Sequence, residues 1–145
     1  MSEPTVVAIE HVGIAVRDAD VATDRYQAMG FVQVRTEELP GGIRSHLFRS
    51  GTAYVEILES TRPGTELDRF LDRRGEGLHH LCLRVDDLGN AMDAAGAAGC
   101  ALVSRTPLED ERGHRVFIHP ATNEGVLTGL VEPHRKVSGE VGTPR

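Results

Sequence analysis

Two histidines, His11 and His80, occupy matching positions in two similar stretches of the chain. Segment 9–18 (IEHVGIAVRD) aligns with segment 78–87 (LHHLCLRVDD) at an offset of 69 residues. Both segments alternate as a strand does and end in an acidic turn that can cap a helix. Histidine is the commonest neutral metal ligand. One strand histidine alone more often indicates a structural residue, but two at equivalent repeat positions favour a paired metal site.

A carboxylate within an apolar strand strengthens this interpretation. Glu56 lies in segment 54–58 (YVEIL), where an unpaired buried charge would be costly. A metal ion shared with His11 and His80 would be a suitable partner. His46 lies in segment 44–49 (RSHLFR), which alternates imperfectly. It could serve as a catalytic base if its side chain pointed inward, or it could be structural.

The elements that must position these residues repeat in the order βαβββ. Each half contains an amphipathic helix that ends at a glycine. The strands expected after these helices are 31–35, 43–49 and 53–58 in the first half, and 101–104, 115–119 and 125–131 in the second. Overlaying the last hairpins places His46 on His119 and Glu56 on Gly129. A pseudo-twofold axis between the halves would bring His11 and His80 together.

The fold class predicted from this order is α+β, with one domain over residues 1–135. Module one spans about 6–60 and module two about 75–132, and a linker with a short helix near 66–71 lies between them. The polar segment 136–145 is expected to be a disordered tail.

Composition excludes several functional classes. The net charge of −6 and the 4% aromatic content, without tryptophan, argue against a nucleic-acid partner. The apolar runs are too short for a membrane span, and the first residues lack the pattern of a signal peptide, so we expect a cytoplasmic protein. Cys82 and Cys100 show no CxxC spacing and are interpreted as buried apolar residues.

Several motifs together resemble the vicinal oxygen chelate superfamily (glyoxalase, bleomycin resistance and dioxygenase proteins), in particular its methylmalonyl-CoA epimerase branch. They are 11–16 (HVGIAV), 55–58 (VEIL), 75–81 (GEGLHHL), and 117–120 (FIHP) leading to 125–127 (GVL). The similarity covers about residues 6–132. The resemblance implies a glyoxalase-like fold, in which two βαβββ modules form a U-shaped, mostly antiparallel sheet around a central site.

The resemblance also implies a divalent metal ion, Co, Ni, Zn, Mn or Fe(II), held by His11, Glu56 and His80. The position of the family's fourth ligand is Gly129 here, and some members carry a glutamate base at the place of Ser45. The implied activity is epimerase-like isomerase or lyase chemistry of the enolate type, on a small acyl thioester or related carbon acid. Glu56 and His46 are the residues expected to be catalytic.

Two other functions stay open at this stage. Two histidines and one glutamate also form the facial triad of iron oxygenases, so a glyoxalase- or dioxygenase-type enzyme is one alternative. The other is a non-catalytic protein that binds a small molecule such as an antibiotic. We expect a small-molecule substrate and a homodimer. Arg44, Arg112 and Arg115 could each bind a substrate carboxylate or could be solvated surface charges.

Overall fold

The computed structural model describes residues 6–134, and the predicted tail, 136–145, lies outside the described residues. The chain divides into two compact units. One is His11–His80, and the other combines residues 6–10 with residues 81–134. Both boundaries therefore fall inside strands. The single-domain division made from the sequence stays a prediction.

The elements follow the predicted order, βαβββ twice with a helix between. The first set is β1 (Val6–Ala15), α1 (Ala19–Ala28), β2 (Val32–Leu39), β3 (Ile43–Ser50) and β4 (Ala53–Ser60), followed by α2 (Glu66–Arg74). The second set is β5 (Gly77–Val85), α3 (Leu88–Ala97), β6 (Leu108–Asp110), β7 (Gly113–Ile118) and β8 (Thr128–Glu132). The α+β class and the duplicated module are confirmed. None of these helices is long and apolar enough to cross a membrane.

In the His11–His80 unit the strands lie in the order β2-β3-β4-β1. The β2/β3 and β3/β4 pairs are antiparallel, and β1/β4 is parallel. The two faces of this sheet pack against different helices. Val16 and Ile57 form an apolar cluster with residues of α1 on one face, and Ala15 and Leu58 pack against α2 on the other. Both faces of this sheet are therefore covered at one end.

Helix α2 shows why the linker folds as it does. The Thr65 hydroxyl accepts a hydrogen bond from the Asp68 backbone N–H at the start of the helix, and Gly75 ends it with a φ of 77°. Leu67, Phe70 and Leu71 are buried on one side. The predicted helix, 66–71, is confirmed and continues to Arg74.

The second unit repeats this plan with the strand order β5-β8-β7-β6. The β5/β8 pair is parallel, and β6/β7 and β7/β8 are antiparallel. Asp87 caps α3 by accepting from the Asn90 backbone N–H. One face of the sheet packs on α3 through a buried apolar cluster: Val85, Leu88, Ala91, Val116, Ile118 and Leu130.

The predicted strand 101–104 is wrong. Only Leu102 of that segment forms a β-bridge, to Ile118, and the strand that pairs with β7 is β6, further along the chain. The predicted strand 125–131 begins only at Thr128. A loop containing a 3-10 turn, Pro120–Thr122, precedes it, and His119 caps this turn.

The same loop changes the internal alignment of the two halves. Glu56 pairs with Leu47, and Gly129 pairs with Phe117. The overlay of His46 on His119 is therefore wrong, because residues 119–127 join β7 to β8 where only residues 51–52 join β3 to β4. In the observed register, Ser45 corresponds to Arg115.

Candidate metal centre

Three ligand atoms from distant parts of the chain converge inside the His11–His80 unit. His11 Nε2 lies 2.8 Å from His80 Nε2. Glu56 Oε1 lies 3.4 Å from His11 Nε2 and 3.5 Å from His80 Nε2. His11 is 1% exposed and Glu56 is 2% exposed. The structure therefore brings together the three residues that the sequence singled out as ligands.

The register of β1 and β4 places the site on one face of the sheet. Gly13 is directly opposite Glu56 in this parallel pair, and His11 is two residues before Gly13. Because side chains alternate along a strand, His11, Gly13 and Glu56 share a face. That face carries Ala15 and Leu58 further along, where α2 covers it.

Gly13 leaves the space that the His80 ring occupies. A Cβ built on Gly13 would lie 2.2 Å from His80 Cε1 and 2.5 Å from His80 Nδ1. Real Cβ atoms do not approach other atoms so closely. A glycine is therefore required in β1 for His80 to direct Nε2 at His11.

Ser45 fixes the orientation of the Glu56 carboxylate. Its hydroxyl donates a hydrogen bond of 2.7 Å to Glu56 Oε2. Ser45 is fully buried on β3, one strand away from Glu56. With Oε2 held in this way, Oε1 is directed at the two imidazoles. In the sequence, Ser45 stood out only as the position where some family members carry a glutamate. A small hydroxyl side chain on the strand next to a buried glutamate is the signal that could have predicted this hydrogen bond.

His79 lies against the other side of the His80 ring. The two Nδ1 atoms are 3.0 Å apart, and the His79 ring packs edge-on against Phe70 at 4.8 Å. Burial lowers the pKa of His79 below its usual value, and the charges of Glu66 and Glu56 oppose this effect. A histidine held by a polar neighbour at one nitrogen has a fixed ring orientation, which leaves the other nitrogen for a ligand.

The spacing of the three atoms is compatible with a divalent cation. Ligand atoms at about 2.1 Å from a metal ion are about 3.0 Å apart at octahedral angles and about 3.4 Å apart at tetrahedral angles. The observed separations run from 2.8 to 3.5 Å. Two imidazole nitrogens with one carboxylate oxygen suit Zn, Co, Ni, Mn or Fe(II). The residues present therefore fit the metal that the sequence suggested.

His46 does not join this group. Its Nε2 lies 2.6 Å from Glu59 Oε2, and its Nδ1 lies 3.4 Å from the Thr36 hydroxyl. Neighbouring residues on a strand face opposite sides, so His46 points away from the face that Ser45 shares with Glu56. The expectation that His46 points inward as a base is corrected by this register.

Gly129 marks the place where the family resemblance called for a fourth ligand. It pairs with Cys82 across β5/β8 and with Phe117 across β7/β8. A Cβ at this position would lie 3.1 Å from Cys82 Sγ and 3.1 Å from Phe117 Cε1. The neighbouring side chains leave no room for a longer side chain without rearrangement.

The three arginines considered as carboxylate ligands differ in burial. Arg44 is a half-buried residue of β3 whose guanidinium pairs with Glu38, and this pairing raises the pKa of Arg44 above its usual value. Arg112 and Arg115 are instead buried, at 5% and 7% exposure. The alternative of solvated surface charges is therefore wrong for these two.

Comparison with known proteins gives matches over most of the chain. Residues 10–117 match the model of the Glyoxalase/Bleomycin resistance protein/Dioxygenase superfamily. The uncharacterized protein YqjC of Bacillus subtilis is 28% identical over 129 residues, which cover 86% of this chain and 91% of YqjC.

Two solved structures are similar along nearly their whole length. The crystal structure of methylmalonyl-CoA epimerase from Mycobacterium tuberculosis has a TM-score of 0.83 at 33% identity and covers 93% of each chain. A variant of Streptomyces coelicolor methylmalonyl-CoA epimerase in complex with 2-nitronate-propionyl-CoA has a TM-score of 0.80 at 28% identity. That match covers 90% of this chain and 100% of the other.

Proposed function

The chain belongs to the Glyoxalase/Bleomycin resistance protein/Dioxygenase superfamily, and we propose that within it the protein is a metal-dependent, epimerase-like enzyme. The reaction we assign is removal of a proton from the carbon next to the carbonyl of a small acyl thioester or related carbon acid. The observation that carries the proposal is the buried convergence of His11 Nε2, His80 Nε2 and Glu56 Oε1 within 2.8–3.5 Å. The likeness to epimerases supports the choice of reaction.

The roles of the residues follow from their contacts. A divalent cation bound to His11, His80 and Glu56 would stabilise the negative charge that develops on the substrate oxygen when the C–H bond breaks. His11 and His80 would ligate the cation through Nε2, and His79 orients His80. Ser45 holds Glu56 Oε2, so the carboxylate keeps one direction during turnover.

Glu56 is the carboxylate of the cluster, and we assign to it the proton taken from the substrate carbon. The electron pair of the C–H bond stays with the substrate and is delocalised onto its carbonyl oxygen. Return of this proton from Glu56 restores the original configuration, and inversion requires a solvent proton to reach the opposite face of the carbon. This chemistry predicts exchange of the substrate's α-proton with solvent even where inversion is slow.

The test measures α-proton exchange of methylmalonyl-CoA in D₂O by NMR, with protein supplied in turn with Co, Ni, Zn and Mn. Metal content of each sample is measured by elemental analysis. We expect exchange in the wild type and its loss in His11→Ala and Glu56→Gln. His119→Gln, which changes an exposed histidine of the second unit, is the matched control. Stoichiometric bound metal without exchange would refute this substrate class.

A second candidate rests on the composition of the cluster. Two histidines and one carboxylate are the ligand set of Fe(II) oxygenases. This alternative predicts oxygen consumption by the Fe(II)-loaded protein in the presence of a catechol-type substrate. Absence of both exchange and oxygen consumption would favour the non-catalytic binding protein. A homodimer and a cytoplasmic location are further parts of the proposal, to be tested by light scattering and by fractionation.

A further inference from the structure

Two arginines lie on the same face of the second unit's sheet, the face opposite α3. Arg84 of β5 and Arg115 of β7 both pair in register with Val131 of β8, one from each side. Residues directly opposite one another in a sheet point to the same face. With neighbouring strands about 4.8 Å apart, the two Cα atoms are about 10 Å apart, a span that two arginine side chains can bridge.

The two guanidinium groups are only partly neutralised. Both carboxylate oxygens of Asp110 accept from Arg115 Nη2, at 3.1 and 2.9 Å. The Nε atoms of Arg84 and Arg115 are buried and, within residues 6–134, have no hydrogen-bond partner. Arg115 is 7% exposed, whereas Arg84 is half-buried. Buried N–H groups left in this state are costly unless an acceptor binds them.

The fold itself does not require these charges. In the His11–His80 unit the corresponding positions are Ala15 for Arg84 and Ser45 for Arg115. The Ala15 position is packed in an apolar cluster with α2, and Ser45 holds Glu56. These two sheet positions therefore carry uncharged residues in the first half and two arginines in the second. The whole chain has a net charge of −6.

We propose that Arg84 and Arg115 form a binding site for an oxyanion, a carboxylate or a phosphate, of the small-molecule ligand. The two Nε–H groups donate to the oxyanion, while Asp110 holds the Arg115 side chain in place. Arg84 lies on β5 and Arg115 on β7, both within the second unit. Identifying the anion as part of the substrate rests on the proposed function, but the existence of the site does not.

The experiment measures binding of malonate, inorganic phosphate and coenzyme A by titration calorimetry. It uses the wild type, Arg84→Met, Arg115→Lys and the control Arg73→Met, which changes an exposed arginine of α2. Circular dichroism checks that each variant is folded. Arg115→Lys retains a cation for Asp110 but lacks the Nε donor, so a folded variant is expected even if Arg115→Met unfolds.

We expect at least one probe to bind the wild type and to bind Arg84→Met and Arg115→Lys about tenfold or more weakly, with Arg73→Met unchanged. Malonate binding alone assigns the site to a carboxylate, and phosphate or coenzyme A binding alone assigns it to a phosphate. The proposal is overturned if no probe binds the wild type, or if both variants bind as tightly as it does. Repeating the titration in His11→Ala separates the two proposals, because this variant loses the metal centre and keeps the arginines.

Discussion

Replacing Gly13 by alanine tests whether His80 is positioned by the absence of a side chain in β1. The added Cβ would lie 2.2, 2.5 and 2.9 Å from three atoms of the His80 ring, where ordinary contact begins at 3.4 Å. The ring must therefore retreat by about 1 Å, and such overpacking costs about 1–3 kcal/mol of stability. Metal–ligand distances tolerate deviations of only about 0.2 Å, so His80 would no longer be in position.

We expect Gly13→Ala to bind Co or Zn about 10- to 100-fold more weakly, a range typical for disturbed ligand orientation. Affinity is measured by competition with a fluorescent chelator, and stability by urea unfolding. The matched control is Gly96→Ala in α3, where a Cβ meets no atom within 4 Å. It should raise stability by about 0.5–1 kcal/mol and leave metal affinity unchanged. Wild-type affinity in Gly13→Ala would refute the steric argument.

Ser45→Ala removes the hydrogen bond to Glu56 and should cost about 1.5–3 kcal/mol in urea unfolding, together with weaker metal binding; unaltered values would contradict the role of Ser45. Gly129→Glu should lower the melting temperature without tightening metal binding, and a gain in affinity would show that the pocket can rearrange. His46→Ala should leave the rate of α-proton exchange within about twofold of the wild type, because His46 and its partner Glu59 face away from the cluster. A larger loss would support a role for His46 as a base. Thr65→Ala should destabilise the protein by about 1 kcal/mol through loss of the α2 cap, as measured by thermal unfolding.

The sequence allowed the convergence of three candidate ligands to be predicted because duplication leaves a visible trace. His11 and His80 align at an offset of 69, and Glu56 interrupts an apolar strand. Both signals can be recognised in the sequence without knowing which strands pair. The structure brings these three side chains together. The order βαβββ was equally readable, since each helix begins at an acidic cap and ends near a glycine.

The errors arose where pairing between distant segments decides the structure. Segment 101–104 has the composition of a strand, yet it forms only an isolated bridge from Leu102 to Ile118 at the end of β7, whereas residues 108–110 pair with the start of β7 across a short turn. The overlay of His46 on His119 failed because residues 119–127 join β7 to β8 where only residues 51–52 join β3 to β4. Alternation along one strand cannot reveal such a shift, because one residue of slippage exchanges the two faces.

His11 and His80 are also the first and last residues of one compact unit. A cation held between them would join two residues 69 positions apart in the chain, as a disulfide does, and would restrict the unfolded chain. Free metal concentration would then set how often the middle parts of β1 and β5 open, because a ligand that binds only the folded form stabilises it by an amount that grows with the logarithm of the ligand concentration above its Kd. Hydrogen exchange around His11 and His80 would thus report metal availability, and the unit would open less often as the metal supply rises.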